Sequence, residues 1–341
     1  MTGPTTNTSV PSKIADRKVA LPWYQQYINI VGPMAMILAL ALTMAIAQPR
    51  FFEFQNLMII LQDAAIFMVL GTAMTIVITG KGIDLSIGAV AVLSAIIMGM
   101  LIKDHNWPTL LAMIVALLVG VSCGVANGLV ITKLKVPDLL ATLAMDQVYR
   151  GIALVLAAGA VLARFPEPIP TLGRGRLFDL IPTAAIVGLI ALAIGYILYN
   201  YTWLGRYAVA IGSSREAAVQ TGINIDRQKI YQYALMGLCA AIAGILLTGR
   251  LNAIQATAGM GFALHTIAAV VVGGTVLFGG KGSMFGTLVG VLLLAMVTNA
   301  LVLLHFQFFW QLIAAGVIII SSIGFYSYLQ SSGSGDSRSD E

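Results

Sequence analysis

Long apolar runs alternate with short polar segments along almost the whole chain. An α-helix needs roughly 17–25 predominantly apolar residues to cross a bilayer, and ten runs approach or reach that length. They lie near residues 28–47, 57–79, 85–102, 108–131, 139–160, 181–201, 230–249, 264–278, 284–304 and 309–328. The pattern predicts an all-α, polytopic helical membrane protein with about ten transmembrane helices. We expect the runs at 85–102 and 264–278 to be broken or re-entrant, because they are the shortest.

Polar segments flank this apolar region and interrupt it once. Residues 1–27 are expected to be a cytoplasmic N-terminal segment; they lack the apolar stretch of a cleavable signal peptide, so the first span directs insertion. The transmembrane domain then covers residues 28–328. Residues 329–341 are of low complexity and are predicted to be a disordered cytoplasmic tail. Residues 205–229 form a polar loop between two long apolar runs.

Composition and charge agree with a membrane protein. Hydrophobic residues make up 59% of the chain and charged residues 10%, whereas a soluble protein carries roughly 25% charged residues. The net charge of +5 does not indicate nucleic-acid binding, because aromatic residues do not alternate with the basic ones. With the N-terminus inside, twelve lysines and arginines fall on the inner side and six on the outer side. This bias predicts that both termini and the 205–229 loop are cytoplasmic.

The 205–229 loop carries the start and stop signals of a short helix. Ser213 can be the N-cap, and Glu216 three residues later completes a capping box. Gly222 supplies the left-handed residue that ends the helix. Ala217 and Ala218 have small side chains, so that another protein can approach the backbone closely. The sequence leaves two readings open, a docking element for a partner and an ordinary solvated loop.

Polar residues within the apolar runs are the next candidates, because burying them in a bilayer is costly. Asp146 and Arg150 lie four residues apart and can pair on one helix face, in either an architectural or a pathway role. Asp84 and Ser86 follow a glycine-rich break. They can cap the third helix or act at a broken helix in transport.

Other residues of the runs favour helix packing. Gly120, Gly124 and Gly128 recur every four residues and predict a close helix contact. Asn127 and Asn299 are expected to join helices by hydrogen bonds. The tripeptide Gly-Lys-Gly occurs at both 80–82 and 280–282, which is too short to establish an internal repeat.

No segment is equipped for catalysis. The glycines and lysine at 279–283 have the wrong spacing for a phosphate-binding loop, and the three histidines lack metal-ligand spacing. Cys123 and Cys239 lie in apolar runs and are expected to be packing residues rather than a disulfide. We therefore expect no catalytic, metal or cofactor site on this chain. Energy for any transport must come from an ion gradient or a partner subunit.

Several segments together resemble the ribose-type permeases of carbohydrate ABC importers. Glu216-Ala217-Ala218, followed by Gly222-Ile223-Asn224, is similar to the coupling segment of ABC importer permeases. The resemblance covers roughly residues 50–330. Its other motifs are Gly82-Ile83-Asp84-Leu85-Ser86-Ile87-Gly88, Ala141-Thr142-Leu143 with Arg150-Gly151, Leu204-Gly205-Arg206-Tyr207, Gly237-Leu238 with Ala243-Gly244-Ile245, and Gly273-Gly274-Thr275 through Gly286-Thr287.

The resemblance implies a type II-like ABC importer architecture in the bacterial inner membrane. Two permease subunits, either copies or paralogues, would sit above two cytoplasmic ATPase domains, which use ATP and Mg²⁺. A periplasmic binding protein would deliver the solute. The residues expected to couple the chain to the ATPase are Arg206, Ser213, Arg215, Glu216, Ala217, Ala218 and Gly222. The candidates for the substrate pathway are Asp84, Ser86, Asp146, Arg150, Asn252, Gln255 and His265.

Two departures from the resembled family concern the substrate. Ribose-type permeases commonly carry acidic residues where this chain has Ala263-Leu264-His265-Thr266, and Asp146 occupies a position that is usually apolar. We therefore expect a substrate other than ribose: another pentose, a hexose, a polyol or an acidic sugar derivative. The alternative functions are an ion-coupled secondary transporter, with Asp84 or Asp146 as the coupling carboxylate, and a non-transporting scaffold or receptor subunit.

Overall fold

The computed structural model describes residues 23–307 together with Trp310, Ile313, Gly316, Val317 and Ile320, and the side chains from residue 32 onward. Helices dominate this part of the chain. They are α1 (Trp23–Ala47), α2 (Phe54–Thr79), α3 (Ile87–Lys103), α4 (Thr109–Lys133), α5 (Asp138–Ala157), α6 (Ile169–Arg174), α7 (Thr183–Tyr201), α8 (Trp203–Ser213), α9 (Arg215–Gln220), α10 (Ile225–Leu251), α11 (Phe262–Val272) and α12 (Met284–Leu303), with a 3₁₀ turn at Pro49–Phe52.

In the part of the chain that the structure describes, strand structure is confined to two short antiparallel pairs in the loops. β1 (Leu162–Ala163) pairs with β4 (Ala253–Ile254), and β2 (Arg176–Leu177) pairs with β3 (Ile181–Pro182). The first pair joins the loop after α5 to the loop after α10.

The helices reproduce the predicted apolar runs closely, and the predicted all-α membrane class is confirmed. Six of the described helices are long and apolar enough to cross a membrane, namely α2, α4, α5, α7, α10 and α12. Three shorter apolar helices, at Gly32–Ala47, Ile87–Lys103 and Phe262–Val272, account for further runs. The expected number of about ten crossings is not confirmed by these lengths. Most of the run at 309–328, the tail at 329–341 and residues 1–22 lie outside the described residues.

The core of the bundle is built around α2 and α10, the most buried of the long helices. α10 packs lengthwise on α4, and the predicted glycine contact is found there. A Cβ on Gly120 would overlap the carbonyl of Gly237, and one on Gly124 would overlap the carbonyl of Tyr233. The two backbones therefore touch directly, an arrangement that only glycine permits.

Buried amides join other helices, as predicted for Asn299. Asn56 on α2 and Asn299 on α12 exchange two hydrogen bonds, each 2.9 Å long. Both cysteines are buried and free. Among the described residues, no group of three or more His, Cys, Asp or Glu side chains is arranged to hold a metal ion.

Candidate functional site

The short helix of the polar loop is α9, and its first turn differs from the prediction by one residue. Ser213 is the last residue of α8, and its hydroxyl donates to the carbonyl of Val209 over 2.8 Å. The N-cap of α9 is Ser214, whose extended backbone (φ −150°) lets its Oγ accept from Ala217 N over 3.2 Å. The predicted N-cap at Ser213 is therefore wrong, because the backbone at Ser213 is still helical.

The C-terminus of α9 has the predicted stop at Gly222, which is in the left-handed conformation (φ +81°). Gly222 N donates to Val219 O over 3.0 Å, and Ile223 N donates to Ala218 O over 3.1 Å. These two bonds form a Schellman motif. Asn224 then caps α10, with its Oδ1 accepting from Arg227 N over 3.0 Å. α9 is thus closed at both ends and joined to α10 by four residues.

One side of α9 is packed against the chain itself. Ala218 is only 2% exposed and lies in a small apolar cluster with Ile211 of α8, Ile225 of α10 and the adjoining Ile223. Ala218 therefore cannot offer its side chain to a partner, contrary to its place in the predicted docking set. Its role is to hold α9 on α8 and α10.

The opposite side of α9 is free. The predicted coupling residues Arg215, Glu216 and Ala217 are exposed, and so is Arg206 on α8. Hydrogen bonds from its own backbone N–H and from the Ser214 hydroxyl, together with the positive charges of Lys81 and Arg215, hold the pKa of the Glu216 carboxyl below its usual value. The free surface of α9 therefore presents an ionised carboxylate beside an arginine.

The two Gly-Lys-Gly segments meet next to α9. Gly280 N donates to Thr79 O over 2.9 Å, and a Cβ on Gly279 would lie 2.6 Å from the side chain of Lys81. Between these segments and the end of α8 lies an open cavity of about 760 Å³. Its rim carries Lys81 and Lys281, both exposed.

Asp84 and Ser86 belong to a buried polar network. Ser86 occupies the N-cap position of α3 but makes no side-chain capping hydrogen bond to it. Asp84 Oδ1 accepts from the backbone N (2.8 Å) and the hydroxyl (2.7 Å) of Ser86. Asn127 Nδ2 donates to Ser86 Oγ over 2.8 Å, and Tyr149 OH donates to Asn127 Oδ1 over 3.0 Å. Asp84 is 2% exposed and Ser86 fully buried. In this conformation the network joins α3, α4 and α5 and does not line an open path.

Asp146 and Arg150 form the predicted pair on α5. Arg150 Nη2 lies 3.2 Å from Asp146 Oδ1. Its Nη1 also donates to the carbonyls of Ala256 (3.2 Å) and Ala258 (3.4 Å) in the segment between α10 and α11. The guanidinium thus holds that segment against α5.

The remaining pathway candidates lie in or after the same segment. Asn252 adopts a left-handed conformation, and its Oδ1 accepts from Phe165 N over 2.9 Å, which anchors the β1–β4 loops. Gln255 is exposed. His265 on α11 is half-buried against the ring of Phe67, with 4.3 Å between ring centroids. Arg150 therefore meets the segment that contains Gln255, whereas Asp84 and Ser86 lie in a separate network.

Three ion pairs were missed by the sequence reasoning: an exposed one between Lys133 and Asp226, and two that are more buried. Lys229 of α10 binds Asp138 of α5 over 2.5–2.6 Å, and Arg250 of α10 pairs with Asp63 of α2. Asp63 lies in the apolar run at 57–79, and an ionisable residue at such a place is a recognisable signal. Asp138 and Lys229 lie near helix starts, 91 residues apart, and nothing in the sequence links them.

The chain has relatives over most of its length. The family described as branched-chain amino acid transport system / permease component matches residues 56–322. The ribose import permease protein of Bacillus subtilis is 38% identical, over 86% of this chain and 91% of that protein. The fructose import permease protein of Rhizobium meliloti is 32% identical, over 95% and 93%. The autoinducer 2 import system permease protein of Yersinia pseudotuberculosis is 32% identical, over 85% and 82%. No solved structure matches the chain.

Proposed function

The chain belongs to the family of branched-chain amino acid transport system permease components, and from this premise we propose that it moves a sugar or sugar-like solute across the bacterial inner membrane. It is a permease subunit of an ATP-driven importer and not an enzyme. A periplasmic binding protein delivers the solute, and a cytoplasmic ATPase uses ATP and Mg²⁺. The chain itself binds no cofactor.

The observation that carries the coupling role is the construction of α9. A helix of six residues is marginal alone in water, yet this one is capped at both ends and packed on α8 and α10 through Ala218. It presents Arg215, Glu216 and Ala217 outward. A short helix held this firmly on the tip of a long helix is suited to receive force from a partner.

The proposed transmembrane arrangement has ten crossings with both termini in the cytoplasm. The shorter helices α3 and α11 count among the crossings, and α8 and α9 lie in the cytoplasm. The positive charge bias supports this orientation.

A second permease subunit is proposed at the exposed face of α5. A stripe of that helix is solvent-accessible in the single chain, at Leu140, Ala144, Gln147, Gly151 and Val155. Gln147 Nε2 donates to Asp146 Oδ2 over 3.3 Å, but facing lipid hydrocarbon would leave its amide oxygen without a donor, which is costly. We expect this stripe to face the partner subunit and the solute path between the two.

The substrate class follows from the relatives. Their names specify ribose, fructose and autoinducer 2 import, so a polyhydroxylated small molecule is proposed. Because His265 stands where the resembled permeases carry acidic residues, we expect ribose not to be the main solute. A competition panel of pentoses, hexoses, polyols and sugar acids tests this expectation, and competition by ribose alone would refute it.

The coupling role is tested on the complex of the chain with its ATPase in proteoliposomes. The variant Arg215→Ala/Glu216→Ala is compared with Arg227→Ala, which removes an exposed arginine from the start of α10 instead. We expect the double variant to lose uptake and the stimulation of ATP hydrolysis by binding protein, while Arg227→Ala retains both. Full activity of the double variant would place the contact elsewhere. Uptake without any ATPase would instead support ion-coupled transport.

A further inference from the structure

Three side chains form a compact polar cluster where α5 and α10 begin. Asp138 is the first residue of α5, and Lys229 lies in the second turn of α10. Lys229 Nζ lies 2.6 Å from Oδ1 and 2.5 Å from Oδ2 of Asp138, and the two side chains are only 12% and 16% exposed. One turn further along α10, Tyr233 OH lies 3.0 Å from the same Oδ2. We call these residues the Asp138 cluster.

The cluster also contacts the segment that leads into α3. Tyr233 OH lies 3.1 Å from the carbonyl oxygen of Ile83, so its single proton can go to that carbonyl or to Asp138. Gly82 packs against both groups, since a Cβ there would lie 3.1 Å from the hydroxyl and 3.2 Å from Asp138 Oδ2. The cluster therefore joins α10, α5 and the segment that holds Asp84 and Ser86.

α5 has few other connections to α10. It packs mainly on α3 and, less extensively, on α4, and the backbones of α5 and α10 make little contact. Its other polar link in the direction of α10 is Arg150, which binds the carbonyls of Ala256 and Ala258 after the end of α10. At the α9 end of the bundle, the Asp138 cluster is thus the main connection between the two helices.

α10 is in turn fixed to α9. The Schellman motif at Gly222 and the packing of Ala218 against Ile225 leave little freedom between the two helices. When α9 is displaced, the first turns of α10, including Lys229, therefore move with it.

We propose that the Asp138 cluster transmits the displacement of α9 to α5, so that ATP-driven movement reorients the exposed face of α5. This inference rests on the proposed function. Lys229 and Asp138 cannot separate without leaving two buried charges unpaired, which is strongly unfavourable. A movement of α10 therefore displaces Asp138, and α5 moves with Asp138. Asp138 and Lys229 are positioning residues, which act on the path through the helix they hold.

The first test separates coupling from folding. Asp138→Asn removes the charge with almost no change in shape, and Asp138→Asn/Lys229→Met also removes the lysine that the single variant leaves unpaired. The control is Asp226→Asn, which breaks the exposed Lys133–Asp226 ion pair, 3.8 Å long, between α4 and α10. Each variant is purified with its ATPase and assayed for ATP hydrolysis and for uptake of radiolabelled ribose, xylose, fructose, glucose and sorbitol.

We expect both Asp138 variants to assemble and hydrolyse ATP at near wild-type rates, while uptake per ATP falls roughly tenfold. Asp138→Glu, which keeps the charge, should retain most of the uptake, and the Asp226 control should be unaffected. Normal uptake by the double variant would overturn the proposal, because the defect of the single variant would then come from the stranded lysine. Failure to assemble would also overturn it and make the cluster architectural.

A second readout follows α5 itself and requires no solute. Gln147→Cys places a thiol on the exposed face of α5, and the native Cys123 and Cys239 are buried. We expect the labelling rate of this thiol to differ between nucleotide-free complex and complex with a non-hydrolysable ATP analogue, and the difference to vanish in the double Asp138/Lys229 background. A persisting difference would refute the proposal. If the unaltered chain neither binds an ATPase nor supports ATP-dependent uptake, the proposed function itself fails.

Discussion

Replacing Gly222 by alanine should loosen α9 without creating a clash. Gly222 has a φ of +81°, and no atom lies within 4 Å of a Cβ built there. The whole effect is therefore the backbone cost of a left-handed alanine, about 1–2 kcal/mol. That cost changes the balance between capped and frayed α9 by roughly five- to thirtyfold. Because a six-residue helix has little stability of its own, the frayed form should become appreciably populated.

The assay is a titration of the ATPase into nanodiscs that contain the permease, read as ATP hydrolysis stimulated by binding protein. Gly222→Ala should need several-fold more ATPase to reach half-maximal stimulation, whereas Gly222→Asn should stay close to wild type, because asparagine tolerates the left-handed conformation. Gly32→Ala in α1, where a Cβ also meets nothing within 4 Å, is the control. Equal behaviour of the Ala and Asn variants would refute this account of the α9 terminus.

Three further predictions concern caps and packing. Ser214→Ala should destabilise α9 by about 1 kcal/mol and reduce stimulated ATP hydrolysis, while Ser213→Ala should have the smaller effect; the reverse order would restore Ser213 as the N-cap. Asn56→Leu should lower the stability of the purified chain by about 1–2 kcal/mol, because the Asn299 amide loses its partner. The double Asn56→Leu/Asn299→Leu variant should recover part of this loss in thermal unfolding. Gly124→Val should lower the free energy of unfolding by about 1–3 kcal/mol or more, because the valine side chain would overlap the Tyr233 carbonyl. The loss would be measured as a lower yield of folded protein.

The sequence predicted the helices well because the bilayer dictates their length and composition. The runs at 57–79 and 108–131, for example, correspond to α2 at 54–79 and α4 at 109–133. The stop at Gly222 was predictable because glycine adopts the left-handed conformation of a helix C-terminus more readily than other residues. The N-cap was placed one residue early because two adjacent serines carry the same side chain. The extended backbone of Ser214 decides between them.

Long-range contacts were beyond sequence reasoning. Asn56 and Asn299 lie 243 residues apart, and the tertiary fold alone brings them together. Ala218 was expected to face a partner because it is small, but small residues also serve at internal helix contacts, and the packing of α8 against α10 turns it inward. Asp84 and Ser86 were read as cap candidates from local spacing. Asp84 binds Ser86 locally, but the partners that extend the network, Asn127 and through it Tyr149, come from other helices.

The direct contact between α4 and α10 has a consequence for the ion permeability of the protein. Where the backbones meet at Gly120, Gly124 and Gly237, a file of water molecules has no space to form. Protons and small ions therefore find no leak along this contact. A solute cannot pass between these two helices either, so the tight α4–α10 contact acts as a sealed wall of the bundle rather than as part of a path.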